Sequence, residues 1–241
     1  MRKSRRYLVL SIVSLLVGVG ASFMSDHHDC RHSDKCKSDR ADADVAVLRS
    51  DAMQMIRTRD YDQGCVIATE LVELDSNESF HHELLAYALR GKGAPRSSIL
   101  EYERAIKLAR SESYADSLVL ADCYIGLAAN QHALNENDDA LRNVNTAIRI
   151  AEKRRRISGD DDAYYQLACA YAVRSTITKA PQSQLDRGSA LANLRFAIDE
   201  GFDSWEHMAG DLDLAALHDD ADFEDLFPHS QVPAPATQYE R

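Results

Sequence analysis

Helix breakers are scarce in this chain. Five prolines stand among 241 residues, and three of them, Pro228, Pro233 and Pro235, lie at the C-terminal end. Ten glycines leave the remainder in long uninterrupted stretches. Aromatic residues make up 7%, with a single tryptophan. β-Branched residues are outweighed by Ala and Leu, which favours helix over sheet. Apolar residues, at 45%, are enough to form a packed core.

Catalytic constellations are also missing. His82-Glu83-Leu84-Leu85-Ala86 begins like a zinc-protease helix, but Ala86 stands where the second histidine must be. Gly91-Lys92-Gly93 lacks the rest of a phosphate loop, and no G-x-S-x-G elbow occurs. Asp160-Asp161-Asp162 reads as the charged start of a helix. The acidic run Asp219–Asp225 lacks the glycine of a calcium loop. A non-enzymatic protein without a cofactor is expected.

Cations are outnumbered, 28 against 39 acidic residues, for a net charge of −11. Four of the 28 are Arg2, Lys3, Arg5 and Arg6, so the rest of the chain is more acidic still, at −15. Such a body repels phosphate backbones, and nucleic acid is excluded as a general partner.

That basic cluster precedes an apolar run from Tyr7 to Met24. The pair reads as an export signal (residues 1–21) ending at Val19-Gly20-Ala21, or as an uncleaved N-terminal membrane anchor. Either way the body is expected outside the cytoplasm, touching membrane only through this segment. Residues 22–44 are polar and aperiodic and read as a flexible spacer. They carry His27, His28, Cys30, His32 and Cys36, a set that could bind zinc or copper, although its spacing matches no named motif. In an oxidising compartment Cys30 and Cys36 could instead form a disulfide. Cys65, Cys123 and Cys169 fall on helical stripes and read as buried thiols.

The positive signal is internal repetition. Shifting the sequence by about 34 residues brings Ala52 onto Ala86, Met55 onto Leu89, Gly64 onto Ser98, Ala68 onto Tyr102 and Leu71 onto Ala105. Four helical hairpins follow, at about 45–78, 79–112, 113–154 and 161–200. Small residues sit where two helices approach, and large ones fill the gaps between hairpins. A hairpin cannot bury its apolar face alone, so neighbours must stack on it. The fourth unit holds extra residues, about Ser175–Ser189 with Pro181, and a long loop is expected there. Gly201 ends the last helix, and Asp211, Leu214, Leu217, Phe223 and Leu226 mark a short amphipathic helix with a polar outer face. Pro228–Arg241 reads as an unstructured tail.

Leu85-Ala86, Leu89, Ser98, Tyr102 and Ala105, with their equivalents over residues 45–200, resemble the tetratricopeptide repeat family. Residues 201–227 look like the segment that closes bacterial exported members. The family's proline after the second helix is missing, with Ser76, Arg110 and Glu152 in its place, and Asp51 replaces a leucine. The resemblance implies an all-α, right-handed solenoid of about four stacked hairpins with a C-terminal cap helix. It also implies a scaffold that binds a protein or peptide on the concave face lined by the first helix of each hairpin. Arg49, Met53 and Arg57, then Glu83, Tyr87 and Arg90, then His132, then Tyr165 and Cys169 are expected to project there. Arg49, Arg57 and Arg90 could hold carboxylates of an acidic or C-terminal peptide, and Tyr87 and Tyr165 could supply flat contacts. The alternative from another class is metal handling by the His27–Cys36 set on a helical platform.

Overall fold

The structure, a computed structural model, describes residues 34–110 and 117–228, with side chains for residues 44–110 and 119–228. The chain divides into two compact units, residues 1–41 and 42–241. In the first, only the opening of helix α1 is described. Every other described element belongs to the second. Among the described residues there are helices and no strand.

Eight helices run in order: α1 (Asp34–Arg57), α2 (Tyr61–Leu74), α3 (Ser79–Gly91), α4 (Pro95–Ala109), α5 (Ser117–Ala133), α6 (Asn137–Ile157), α7 (Asp161–Ile177) and α8 (Gln182–Glu200). From α2 to α8 each packs against its neighbours in sequence, and the first helix α5 also touches α3 and α7. This is the arrangement of stacked helical hairpins. Helix α1 begins within the stretch expected to be a flexible spacer.

The hairpin turns repeat as closely as the core does. Arg59, Gly93 and Asn135 each take a left-handed backbone, with φ of 61°, 79° and 65°. Asp60, Ala94 and Glu136 follow them and donate their N–H groups to the carbonyls of Met55, Leu89 and Gln131. The left-handed residue reverses the chain, and the hydrogen bond satisfies a carbonyl left free at the helix end.

Close packing explains the small residues. Ser98 is buried and donates to the Ala86 carbonyl at 2.6 Å, joining α4 to α3. Asn130 of α5 donates to Ser98 Oγ at 2.9 Å, joining the next hairpin. Gly126 lies against the buried Tyr102 ring, which occupies the volume a Cβ would need. One large apolar cluster extends from α3 through α8 into the C-terminal segment. A smaller one joins Ala52, Ala68 and Leu71 to Leu84 and Leu85.

Two expectations change. The long loop of the fourth unit is short: α7 runs to Ile177 and α8 starts at Gln182, so the extra residues lengthen the helices. Arg174 explains this by clamping the buried Asp186 at 2.6 and 3.1 Å, which fastens the first turns of α8 to the end of α7. The membrane expectation is also corrected, since no helix among the described residues is long and apolar enough to cross a membrane. Even the long helix α6 carries charged residues throughout, ending in Lys153-Arg154-Arg155-Arg156. The run Tyr7–Met24 lies outside the described residues.

Gly201, at φ 118°, closes α8 as expected. The chain then forms α9 (Trp205–Gly210), a 3-10 helix (Leu212–Leu217) and α10 (Ala221–Glu224). Met208, Leu214 and Leu217 are fully buried, and Phe223 and Phe227 nearly so. The 3-10 helix packs on α7 and reaches α5, and its Asp213 meets Arg90 of α3. The segment therefore crosses the first helices of three hairpins.

Candidate functional site

Helical spacing puts Glu83, Tyr87 and Arg90 on one face of α3. Asp122 of α5 joins them electrostatically, with Tyr165, Gln166 and Cys169 of α7 alongside. The C-terminal segment brings Asp211 and Asp213 to this set, and Asp211 is its centre. It precedes the 3-10 helix and accepts the Asp213 N–H at 2.9 Å, as a capping aspartate does. The same oxygen, Oδ1, accepts from the Tyr87 hydroxyl at 3.1 Å. Oδ2 accepts from the Tyr165 hydroxyl at 2.8 Å and faces Cys169 Sγ at 3.6 Å. The Tyr87 oxygen in turn accepts the Leu212 N–H at 3.1 Å. Tyr165 stacks on Phe202 with ring centroids 4.5 Å apart.

Asp213 pairs with Arg90 at 2.5 Å, both side chains being 12% exposed. Asp122 accepts from Gln166 at 3.0 Å, and Gln166 accepts from Arg154 at 3.2 Å. Arg154 also pairs with Asp160 and Asp162. The carboxylates of Glu83, Asp122 and Asp211 thus interact with that of Asp213, which alone of the four pairs with Arg90, and Arg154 is held at one remove.

Glu83 has no such support: its Oε2 is buried and has no hydrogen-bond partner. An orphaned buried oxygen is costly, and the group responds by holding its proton. Burial pushes the Glu83 carboxyl well above its ordinary range, aided by the charges of Asp122 and Asp213. Burial likewise raises Asp122 to about 8, against the Gln166 hydrogen bond. It raises Asp213 to about 6, against the pull of Arg90. The Cys169 thiol is pushed up by burial and then by Asp211.

One atom each from Cys169, Asp211 and Asp213 lies within 4.8 Å of the other two. A thiol and two carboxylates at that separation are chemically able to hold a metal ion. Charge favours a divalent one. With Cys169 as thiolate the three ligands carry three negative charges, Arg90 returns one, and a divalent cation balances the remainder.

Of the residues expected to share a binding face, Glu83, Tyr87, Arg90, Tyr165 and Cys169 come together. Arg49 instead pairs with Glu78 at 3.3 Å and donates to His81 at 2.9 Å. Met53 and Arg57 are exposed on α1, and His132 contacts Asn137 at 2.7 Å beside a hairpin turn. No sequence signal marks Asp122, Asp211 or Asp213 as a site residue. An aspartate before an apolar run signals a cap, but nothing local ties Asp211 to Tyr87, 124 residues earlier. The side chains of His27, His28, Cys30, His32 and Cys36, with the disulfide considered between Cys30 and Cys36, lie outside those described. No family model and no curated protein matches this chain, so a functional reading rests on the geometry of this site.

Proposed function

We propose that this protein is a non-catalytic, exported helical-repeat protein of tetratricopeptide type that binds a divalent metal ion at Cys169, Asp211 and Asp213. The observation that carries the reading is the convergence of these three ligand atoms in the interior. The buried Glu83 oxygen without a hydrogen-bond partner, among the same carboxylates, is a second sign of unmet bonding capacity there. The proposed ligands differ from the His27–Cys36 set weighed from sequence: Cys169 belongs to α7, and Asp211 and Asp213 to the C-terminal segment. Export is supported by the basic cluster and the apolar run Tyr7–Met24.

The test is equilibrium dialysis of the reduced full chain against zinc, with metal counted per chain. One ion is expected. Cys169→Ser should lose it, whereas Cys30→Ser with Cys36→Ser should keep it. The opposite pattern would return the site to the N-terminal set, and no bound metal in any form would refute the reading.

A second reading keeps the repeats as a protein-binding or peptide-binding scaffold of right-handed solenoid form. Its support is that Arg90, Tyr87 and Tyr165 already hold the carboxylates of an acidic segment, the chain's own. A labelled peptide spanning Trp205–Phe227 should bind Asp211→Asn/Asp213→Asn chains in trans and not the intact protein. No binding to either would count against this reading.

A further inference from the structure

We infer that His207 completes a four-ligand, zinc-class site with Cys169, Asp211 and Asp213, and that occupancy of the site fastens the C-terminal segment to α7. The inference rests on the metal-binding reading and specifies both its ion and its consequence.

Asp211 Oδ1 is held by the Tyr87 hydroxyl and the Asp213 N–H, which fixes the plane of the carboxylate. Its other oxygen faces Cys169 Sγ at 3.6 Å and His207 Nε2 at 3.8 Å. Zinc bonds of about 2.0–2.3 Å in tetrahedral geometry place ligand atoms roughly 3.3–3.8 Å apart, so both separations suit a shared ion. The His207 ring leans on Tyr165 at a centroid distance of 5.6 Å and its side chain is 40% exposed. Its nitrogens lie outside the mutually close set formed by Cys169, Asp211 and Asp213, so the ring must rotate toward Asp211 to complete the site. Asp213 accepts from Arg90 at Oδ1, and one of its carboxylate oxygens lies within 4.8 Å of the Cys169 and Asp211 ligand atoms.

Ligand chemistry sets the class. A thiolate and an imidazole with two carboxylates suit zinc, while magnesium and calcium take oxygen sets. On binding, the Cys169 S–H bond breaks, a sulfur–metal bond forms, and the proton leaves to solvent. Three of the four ligands come from the C-terminal segment and the fourth from α7. The ion would therefore join elements that otherwise meet through hydrogen bonds and apolar packing.

Trp205 is the only tryptophan of the chain and stands two residues before His207, so its fluorescence reports on the segment. The test titrates the reduced, metal-free full chain with zinc and with cobalt. Expected are a sulfur-to-cobalt charge-transfer band with the strong visible absorption of tetrahedral cobalt, a change in Trp205 emission, and slower amide exchange over residues 205–217. His207→Ala should weaken zinc binding by tenfold or more and remove the Trp205 response, without altering far-UV circular dichroism. If zinc binds equally well to His207→Ala with the same response, the inference is overturned while the three-ligand site stands. Binding of magnesium or calcium in preference to zinc overturns the class. No metal binding at all defeats the functional reading, and the inference with it.

Discussion

Removing the Arg90 side chain tests the electrostatics of the site most directly. Arg90 and Asp213 are each 12% exposed and 2.5 Å apart, with Asp211 nearby. Arg90→Ala leaves Asp213 as an uncompensated charge in a low-dielectric interior. Losing one partner of such a pair costs about 3–5 kcal/mol, or roughly 6–20 °C in melting temperature for a domain of this size. The cost must depend on pH. Burial already raises Asp213 to about 6 despite Arg90, and without Arg90 it rises further. At pH 5 the folded variant therefore carries a neutral Asp213, and the penalty is smaller than at pH 8 by about 2 kcal/mol. Urea unfolding followed by far-UV circular dichroism at both pH values measures this. Asp213→Asn added to Arg90→Ala should recover part of the loss, because the uncompensated charge is then gone. A cost for Arg90→Ala below about 1 kcal/mol at pH 8, or an equal cost at both pH values, would refute a desolvated pair.

Asp122→Asn should raise stability at pH 7.5 and change little at pH 4.5. A carboxyl raised to about 8 when folded binds a proton that the unfolded chain releases near 4, so stability falls as pH rises through that window. The wild-type slope should exceed that of the variant by about 1.4 kcal/mol per pH unit, and parallel slopes would refute the assignment. Gly126→Ala should destabilise the fold, because the new Cβ runs into the buried Tyr102 ring. Overpacking costs about 1–3 kcal/mol against a helix-propensity gain of about 1, so a melting temperature above wild type would contradict the packing. Adding Tyr102→Leu should remove the conflict and make the pair non-additive.

The hairpins were legible because their signal is local. Ala86 and Ser98 lie twelve residues apart and meet across one turn. Arg59 and Gly93 share a turn geometry at corresponding positions of successive repeats. The extent of α8 was not legible, since Pro181 and a polar run read as loop. The Arg174–Asp186 clamp that holds its first turns depends on how α7 and α8 meet. Glu83, Tyr87, Arg90 and Tyr165 could be placed by helical spacing alone. Asp211 and Asp213 could not, because a buried aspartate among leucines looks the same in sequence as one on the outer face of an amphipathic helix. Their partners lie on other helices, in Arg90 and Tyr87 more than 120 residues away.

The crossing of the C-terminal segment over the first helices also bears on synthesis. A stack of hairpins can consolidate as it leaves the ribosome, each unit settling on the one before. Arg90 and Tyr87 cannot complete their contacts that way, because Asp213 is made 123 residues after Arg90. At about 5–20 residues per second that interval is roughly 6–25 s. Throughout it α3 holds a cation without its carboxylate, and the apolar surfaces that receive Met208, Leu214 and Leu217 stay open. The nascent chain thus passes through a stage in which most repeats exist but their clasp does not. In that interval a chaperone would find its clearest target.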